Sequence, residues 1–224
     1  MRSGKRVIAA LVLGTSLLLA GCGAAEGSSP KSYGATEEEI AAAMEKMSDD
    51  IEDLDFSFDG EVYSLPIKAG VFMELGWVFP EDFLKKIDPY PAMTEWGNCS
   101  LIKMDGDKEM ELGTITLLNT SEEECAVEDV YITNISFDRY DIPNMIFPKG
   151  ITWASSIEDV KEAFGTPDSE GSAGSEDTFI NTRIIYSTNS CSMTFSFQTM
   201  DGVTKMTGVM MSYNKTQEYS VPGA

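Results

Sequence analysis

Two Asp-Gly pairs constrain what this chain can fold into more than any other feature. Asp105-Gly106 separates residues 99–104 from 110–119, and Asp201-Gly202 separates 192–200 from 203–214. The flanking segments are rich in alternating apolar and polar positions. Asp-Gly between such flanks predicts a tight hairpin, because the turns that match strand twist need positive φ at their central positions. A third strand signal accompanies each hairpin: 127–137 follows the first and 182–187 precedes the second. Met193, Phe195 and Phe197 alternate with Ser192, Thr194, Ser196 and Gln198. That spacing predicts a strand with one face in a core and one face wet. The wet face reads either as plain solvent-exposed surface or as a protein-docking surface.

The elements around the hairpins recur in the same order. Ser155-x-x-Glu158 reads as the start of a short helix with Ile157, Val160 and Phe164 on its buried face. Gly165 can supply a left-handed C-cap, and Pro167 prevents continuation. A Ser/Gly/acidic loop at 168–177 then leads into three strands. In the first half, 62–67 is extended, and Val71, Phe72 and Leu75 lie on a short helix ending at Gly76-Trp77. A Pro-rich loop through Pro80, Pro89 and Pro91 precedes three more strands. Ahead of both, Thr36-x-x-Glu39 is a capping box. Ile40, Met44, Met47, Ile51 and Leu54 then form one apolar stripe on an acidic helix. The stripe suits packing on its own chain or a coiled-coil seam, and two heptads are short for the latter. The expected fold class is α+β: an N-terminal helix followed by two tandem helix-plus-antiparallel-sheet units. These units occupy 36–138 and 151–224. The join at 139–150 carries Pro143, Pro148 and Gly150, which break periodicity.

The first 22 residues read as targeting rather than structure. Arg2, Lys5 and Arg6 precede an apolar run from Val7 to Ala20, interrupted by Gly14, Thr15 and Ser16. The run is shorter than the roughly 20 residues of a comfortable membrane span. It ends in Leu19-Ala20-Gly21-Cys22, which resembles the lipobox of bacterial lipoproteins. The resemblance implies a signal peptide over 1–21 recognised through Leu19, Ala20 and Gly21. It further implies cleavage before Cys22 and a diacylglycerol on the Cys22 thiol. Two acyl chains anchor stably where one binds only marginally. Residues 22–35 hold Gly, Ala, Ser and Pro and almost no large apolar side chain, so they read as a flexible tether. The implied location is the extracytoplasmic face of the cell membrane.

Charge and missing residue types narrow the function. The chain has 224 residues, with Lys+Arg 16 against Asp+Glu 37 and a net charge of −21. Losing Arg2, Lys5 and Arg6 with the signal peptide takes that to −24. Such a surface repels nucleic acid and anionic headgroups, so no nucleic-acid partner is expected. It favours cationic partners or divalent ions, although solubility at a crowded surface is the simpler reading. With no His at all, His-based acid–base chemistry, Ser-His and Cys-His pairs and the commonest transition-metal ligand are excluded. Cys99, Cys125 and Cys191 follow the anchor. Cys99 opens the first strand of its sheet and Cys125 directly precedes the third, so a Cys99–Cys125 disulfide is a candidate, with Cys191 left over. The acidic run from Asp105 to Glu111 invites a calcium reading. A calcium loop starting at Asp105 would need Gly at its sixth position and Glu at its twelfth, where Met110 and Thr116 stand.

The stretch from Lys149 to Pro167, with Gly150, Thr152, Ile157, Glu158, Val160, Phe164, Gly165 and Pro167, resembles a phrase in two families. These are the small outer-membrane assembly lipoproteins and the β-lactamase inhibitory protein family. The resemblance implies a helix-then-sheet unit and a bias toward protein–protein binding. The stretch from Phe58-Asp59-Gly60 to Gly76-Trp77 looks like one in uncharacterised lipoproteins of Gram-positive bacteria. The matched positions are caps, apolar faces and breakers, so no catalytic, cofactor or metal residue carries over. The functional expectation is a membrane-anchored extracytoplasmic lipoprotein. It would serve as a non-catalytic protein-binding module of the cell envelope with no cofactor. The alternative is a binder of divalent cations or small cationic ligands through the acidic surface.

Overall fold

Thr36 starts the first helix, α1 (Glu37–Met44), by the capping box expected of it. Its hydroxyl accepts from the Glu39 amide at 3.2 Å, and the Glu39 carboxylate accepts from the Thr36 amide at 2.7 Å. The computed structural model describes residues 34–139, 142, 144–175 and 178–214. The signal peptide at 1–21, with Leu19, Ala20 and Gly21, lies outside the described residues, as do Cys22 and all but the last two residues of the 22–35 tether.

α1 stops at Met44 instead of running to Leu54. Ser48 and Asp50 bond local backbone amides, which competes with helix formation. Asp50 caps a 3-10 turn at Ile51–Asp53, and Leu54 adopts the left-handed conformation. The apolar stripe still packs on its own chain, with Ile40, Ala43 and Met47 against Ile146.

The remaining elements follow in order. They are β1 (Asp55–Phe58), β2 (Glu61–Ser64), β3 (Ile67–Lys68), α2 (Ala69–Glu74), α3 (Glu81–Ile87), β4 (Glu95–Asp105), β5 (Lys108–Leu118) and β6 (Tyr131–Asp138). The second half holds β7 (Ile146–Phe147), β8 (Ile151–Thr152), α4 (Ile157–Phe164), β9 (Ser169–Ser175), β10 (Phe179–Ser187), β11 (Cys191–Met200) and β12 (Val203–Tyr213).

The strands overturn the α+β expectation of two tandem units, each with its own sheet. The described chain is mostly β, and its four α-helices are short. Strands from both halves join one antiparallel sheet in the order β4-β5-β6-β12-β11-β10-β9, with β3 alongside β6. The join is β6 against β12, from Asp138↔Gly208 to Asn134↔Ser212. Each is the last strand of its meander. Left apart, each would expose a row of unpaired backbone donors and acceptors beside an apolar face. Pairing the two satisfies both rows at once. A second, small sheet has the order β2-β1-β7-β8.

Three local expectations also change. Residues 168–177, read as a loop, contain strand β9, whose seven residues are all exposed. Its Ser/Gly composition is poor for a strand, and pairing with β10 overrides that weak preference. The Pro-rich loop contains α3, with Pro80 at its N-cap, acids in its first turn and lysines in its last. That charge order complements the helix dipole. The join at 139–150 contains β7, which pairs with β1 and β8.

The core lies on the inner face of the large sheet. One row across it is Cys99, Ile115, Ile135, Met211, Met193 and Tyr186, all buried. Phe56 of the small sheet meets Phe137 of β6 at 5.0 Å, and Phe147 meets Trp153 at 5.2 Å. Trp153 Nε1 donates to the Ile142 carbonyl at 2.7 Å. α4 buries Val160 fully and sets Phe164 at 5.5 Å from Phe195. Its cap is Ser156 with Asp159, one residue beyond the pair expected. Among the described residues no helix is long and apolar enough to cross a membrane.

Candidate functional site

The strand face expected to be wet on β11 extends across the large sheet, but on β11 itself it is half-buried at Ser192, Ser196 and Gln198 and buried at Thr194. Its central row runs Ser100, Thr114, Ser136, Met210, Thr194 and Ile185, one residue per strand from β4 to β10. A parallel row runs Thr116, Asn134, Ser212, Ser192 and Ser187. Thr114, Ser136 and Met210 are exposed on three adjacent strands. Small hydroxyl and amide side chains therefore surround one exposed methionine. A partner can read such a surface by replacing its hydrogen bonds to water, and the Glu111 and Asp138 carboxylates border it beside Thr114 and Ser136.

Toward β9 the face changes. A third row runs from the Asp138 carboxylate on β6 through Gly208, Ser196 and Arg183 to Gly171, and a groove of about 640 Å³ crosses β9 to β12 at the Arg183 end. Its lining includes Arg183, Asn181, Ser196 and Thr207 and no carboxylate. In a chain of net charge −21 this is an unusual place. Among the described residues the ion pairs use Lys46, Lys68, Lys85 and Lys161, and Arg183 is in none of them.

The opposite electrostatics occur in a cleft of about 570 Å³ beside the C-terminus of α4. Asp49, Asp50 and Asp168 line it together with Phe164 and Tyr186, whose rings are 5.2 Å apart. Two of these acids already hold backbone: Asp50 accepts from the Glu52 amide at 3.0 Å and Asp168 from the Ser187 amide at 2.7 Å. Lys149, at φ 61°, donates to the Ala163 carbonyl at 3.0 Å and lies 5.1 Å from the Phe164 ring centre. Burial, then the charges of Glu170 and Asp168, push the Tyr186 hydroxyl up from its ordinary value.

The candidate Cys99–Cys125 disulfide is not formed. Cys99, Cys125 and Cys191 are free thiols, each already placed by other contacts. Cys99 is buried in β4 and donates to the Ile115 carbonyl at 3.5 Å. Cys125 forms a backbone bridge with Tyr90, at 2.7 and 3.1 Å. Cys191 donates to the Ile51 carbonyl at 3.3 Å, which ties the start of the domain to β11. Burial pushes Cys99 up to about 12 and raises Cys125 and Cys191, so all three are protonated at neutral pH. A thiol is a poor nucleophile and metal ligand in that state.

The acids from Asp105 to Glu111 lie at the β4–β5 hairpin. The turn is Gly106-Asp107, closed by Asp105↔Lys108, with Gly106 at φ 62° in its first central position. Among the described residues no group of three or more Cys, Asp or Glu is placed to hold a metal ion. Sequence reasoning passed over Arg183, because its meaning depends on which strands lie beside it. It also passed over the cleft, whose acids come from segments more than a hundred positions apart.

No protein-family model matches this chain, and no match to it was found among characterised proteins or among solved structures.

Proposed function

We propose that this chain is an extracytoplasmic lipoprotein, held to the cell membrane by a lipid on Cys22, that binds another protein of the envelope without catalysing a reaction. The Leu19-Ala20-Gly21-Cys22 sequence supports the anchor, and the low-complexity stretch after it supports a tether. The observation that carries the binding reading is the outer face of the large sheet, with Thr114, Ser136 and Met210 exposed side by side. Met210 is of a residue type enriched at interfaces, and the hydroxyls around it can bond a structured partner. The three protonated thiols and the absence of His support a non-catalytic role.

The test has two arms. Cys22→Ala should move the protein from the membrane fraction to the soluble fraction; retention in the membrane fraction would remove the anchor. A photo-crosslinker placed at Ser136 or Met210 in cells should yield one envelope protein, while the same group at the exposed Lys85 of α3 should not. Identical products from all three positions would remove the docking face.

A second reading, binding of a small organic cation, is favoured by the cleft at Asp49, Asp50 and Asp168. Lys149 also lines the cleft and already covers the Phe164 ring, so a further cation would be drawn by the three carboxylates and the Tyr186 ring. Thermal melts with added calcium and with added spermidine separate the readings. A rise at micromolar spermidine supports the cation reading, and no rise below millimolar of either ion removes it.

A further inference from the structure

The two ends of the large sheet are treated differently. At one end β4 is blunted. Its register shifts twice, and Val78 bridges Ile102 with two hydrogen bonds of 2.8 Å. At the other end β9 pairs with β10 over seven consecutive positions without a shift, and among the described residues nothing pairs with its far edge. Proteins normally protect such an edge with a proline, an edge lysine, an inward-pointing charge, a bulge or a covering segment. Within Ser169-Glu170-Gly171-Ser172-Ala173-Gly174-Ser175 β9 has the inward-pointing charge alone. Its one charge, Glu170, lies on the inner side opposite Ile184 and is paired with Lys161 of α4 at 2.8 Å.

Beside this edge lies the groove with a cation and no carboxylate. Arg183 stands on β10 directly opposite Gly171, so a glycine is all that separates it from the edge. A Cβ built on Gly171 would meet nothing within 4 Å, which leaves an open lane. Strands in a sheet lie about 4.8 Å apart, so an added strand would sit about 10 Å from β10. An arginine and an acidic side chain extended toward each other span that gap. We propose that β9 accepts an extended segment of a partner protein as an additional strand, with a carboxylate of that segment reaching Arg183 across Gly171. This rests on the protein-binding reading above and names the site and the chemistry of its partner.

Strand addition supplies main-chain hydrogen bonds whatever the sequence, and the alternate side chains give the specificity. A second copy of this chain is a poor occupant. In an antiparallel β9–β9 pair the outer-face residues offered are Ser169, Gly171, Ala173 and Ser175, none of which carries a carboxylate.

A displayed library of random linear peptides, selected on the folded chain with Cys22→Ser, tests this. Selected peptides should share one Asp or Glu within an alternating stretch. Selection on Arg183→Glu should exchange that acid for Lys or Arg. Gly171→Thr, which fills the lane without a clash and raises strand propensity, should weaken an acidic peptide by about tenfold with no loss of melting temperature. The same peptide should slow amide exchange in β9. Three results overturn the proposal: no enriched sequence, enriched peptides unchanged by Arg183→Glu, or β9 protection that rises with protein concentration in the absence of peptide. Peptides that ignore Arg183→Glu but protect amides of β5, β6 and β12 would sink the edge proposal and leave the protein-binding reading standing.

Discussion

Replacing Phe137 with alanine tests whether the two halves share one core. Phe137 lies on β6 opposite Val209 of β12, at the join between the halves, and is 1% exposed. Its ring is 5.0 Å from Phe56 and 6.0 Å from Phe147, so it also touches the small sheet. Truncating a core phenylalanine to alanine costs about 3–5 kcal/mol, from lost burial and the cavity left behind. With a urea dependence of about 2 kcal/mol per molar, a loss of about 4 kcal/mol lowers the unfolding midpoint by about 2 M. Cys99 on β4 and Cys191 on β11 are buried, one in each half, so their alkylation reports on each half separately. In protein carrying Cys22→Ser and Cys125→Ser, both thiols should become reactive at one midpoint. Phe137→Ala should shift that midpoint by the same amount for both. The reasoning is refuted if Cys191 keeps its original midpoint while that of Cys99 falls, because the halves would then be separate cooperative units.

Trp153→Phe keeps most of the apolar volume but strands the buried Ile142 carbonyl. It should cost about 1–3 kcal/mol in urea unfolding, and no change would mean the 2.7 Å bond is not stabilising. Gly174→Ala drives a Cβ into the Phe179 carbonyl oxygen at a φ of +126°. Amide exchange should therefore speed up in β9 and the adjoining end of β10 and leave β5 unchanged. Hydrogen bonds from the Ser156 amide and hydroxyl hold Asp159 below its ordinary carboxylate value. A depressed folded pKa contributes stability that is present at neutral pH and is lost as pH falls below about 4. Asp159→Asn should flatten the acid side of the melting-temperature profile, and an unchanged profile would mean the cap carries no charge dependence. Iodoacetamide at pH 8 should modify the partly exposed Cys125 first and leave Cys99 and Cys191 until the chain unfolds. Equal rates in the native protein would contradict the burial of those two thiols.

Much of the local structure is legible in the sequence. The Thr36 cap, the α4 face around Val160 and the strands flanking both Asp-Gly pairs follow from periodicity and turn chemistry, while the α4 cap lies at Ser156, one residue beyond the Ser155 expected. Asp201-Gly202 is a turn with both residues at positive φ, as expected. The Asp105 turn is displaced by one residue, since Gly106 takes the first central position. Asp59-Gly60 closes a third such turn between β1 and β2, a signal that sequence reasoning passed over although Asp55-Phe56-Ser57-Phe58 alternates ahead of it; in the fold all four of these residues are buried. The assembly was not legible. Nothing local in β6 or β12 says that they pair, because register between distant strands is set by the whole apolar face and the free edges together. β9 was missed for the opposite reason: its Ser/Gly composition is that of a linker, and the adjacent β10 supplies its order. The Arg183 site inherits both problems, since its neighbours Gly171, Ser196 and Gly208 belong to three other strands.

The β6–β12 join also fixes the order of events after synthesis. Asp138 meets Gly208 roughly seventy positions further along the chain. The middle of the large sheet cannot close until the chain has been made through β12, and contacts so distant in sequence slow folding. For a chain exported as proposed, β6 would cross before its partner β12, and the join would form only once both had emerged.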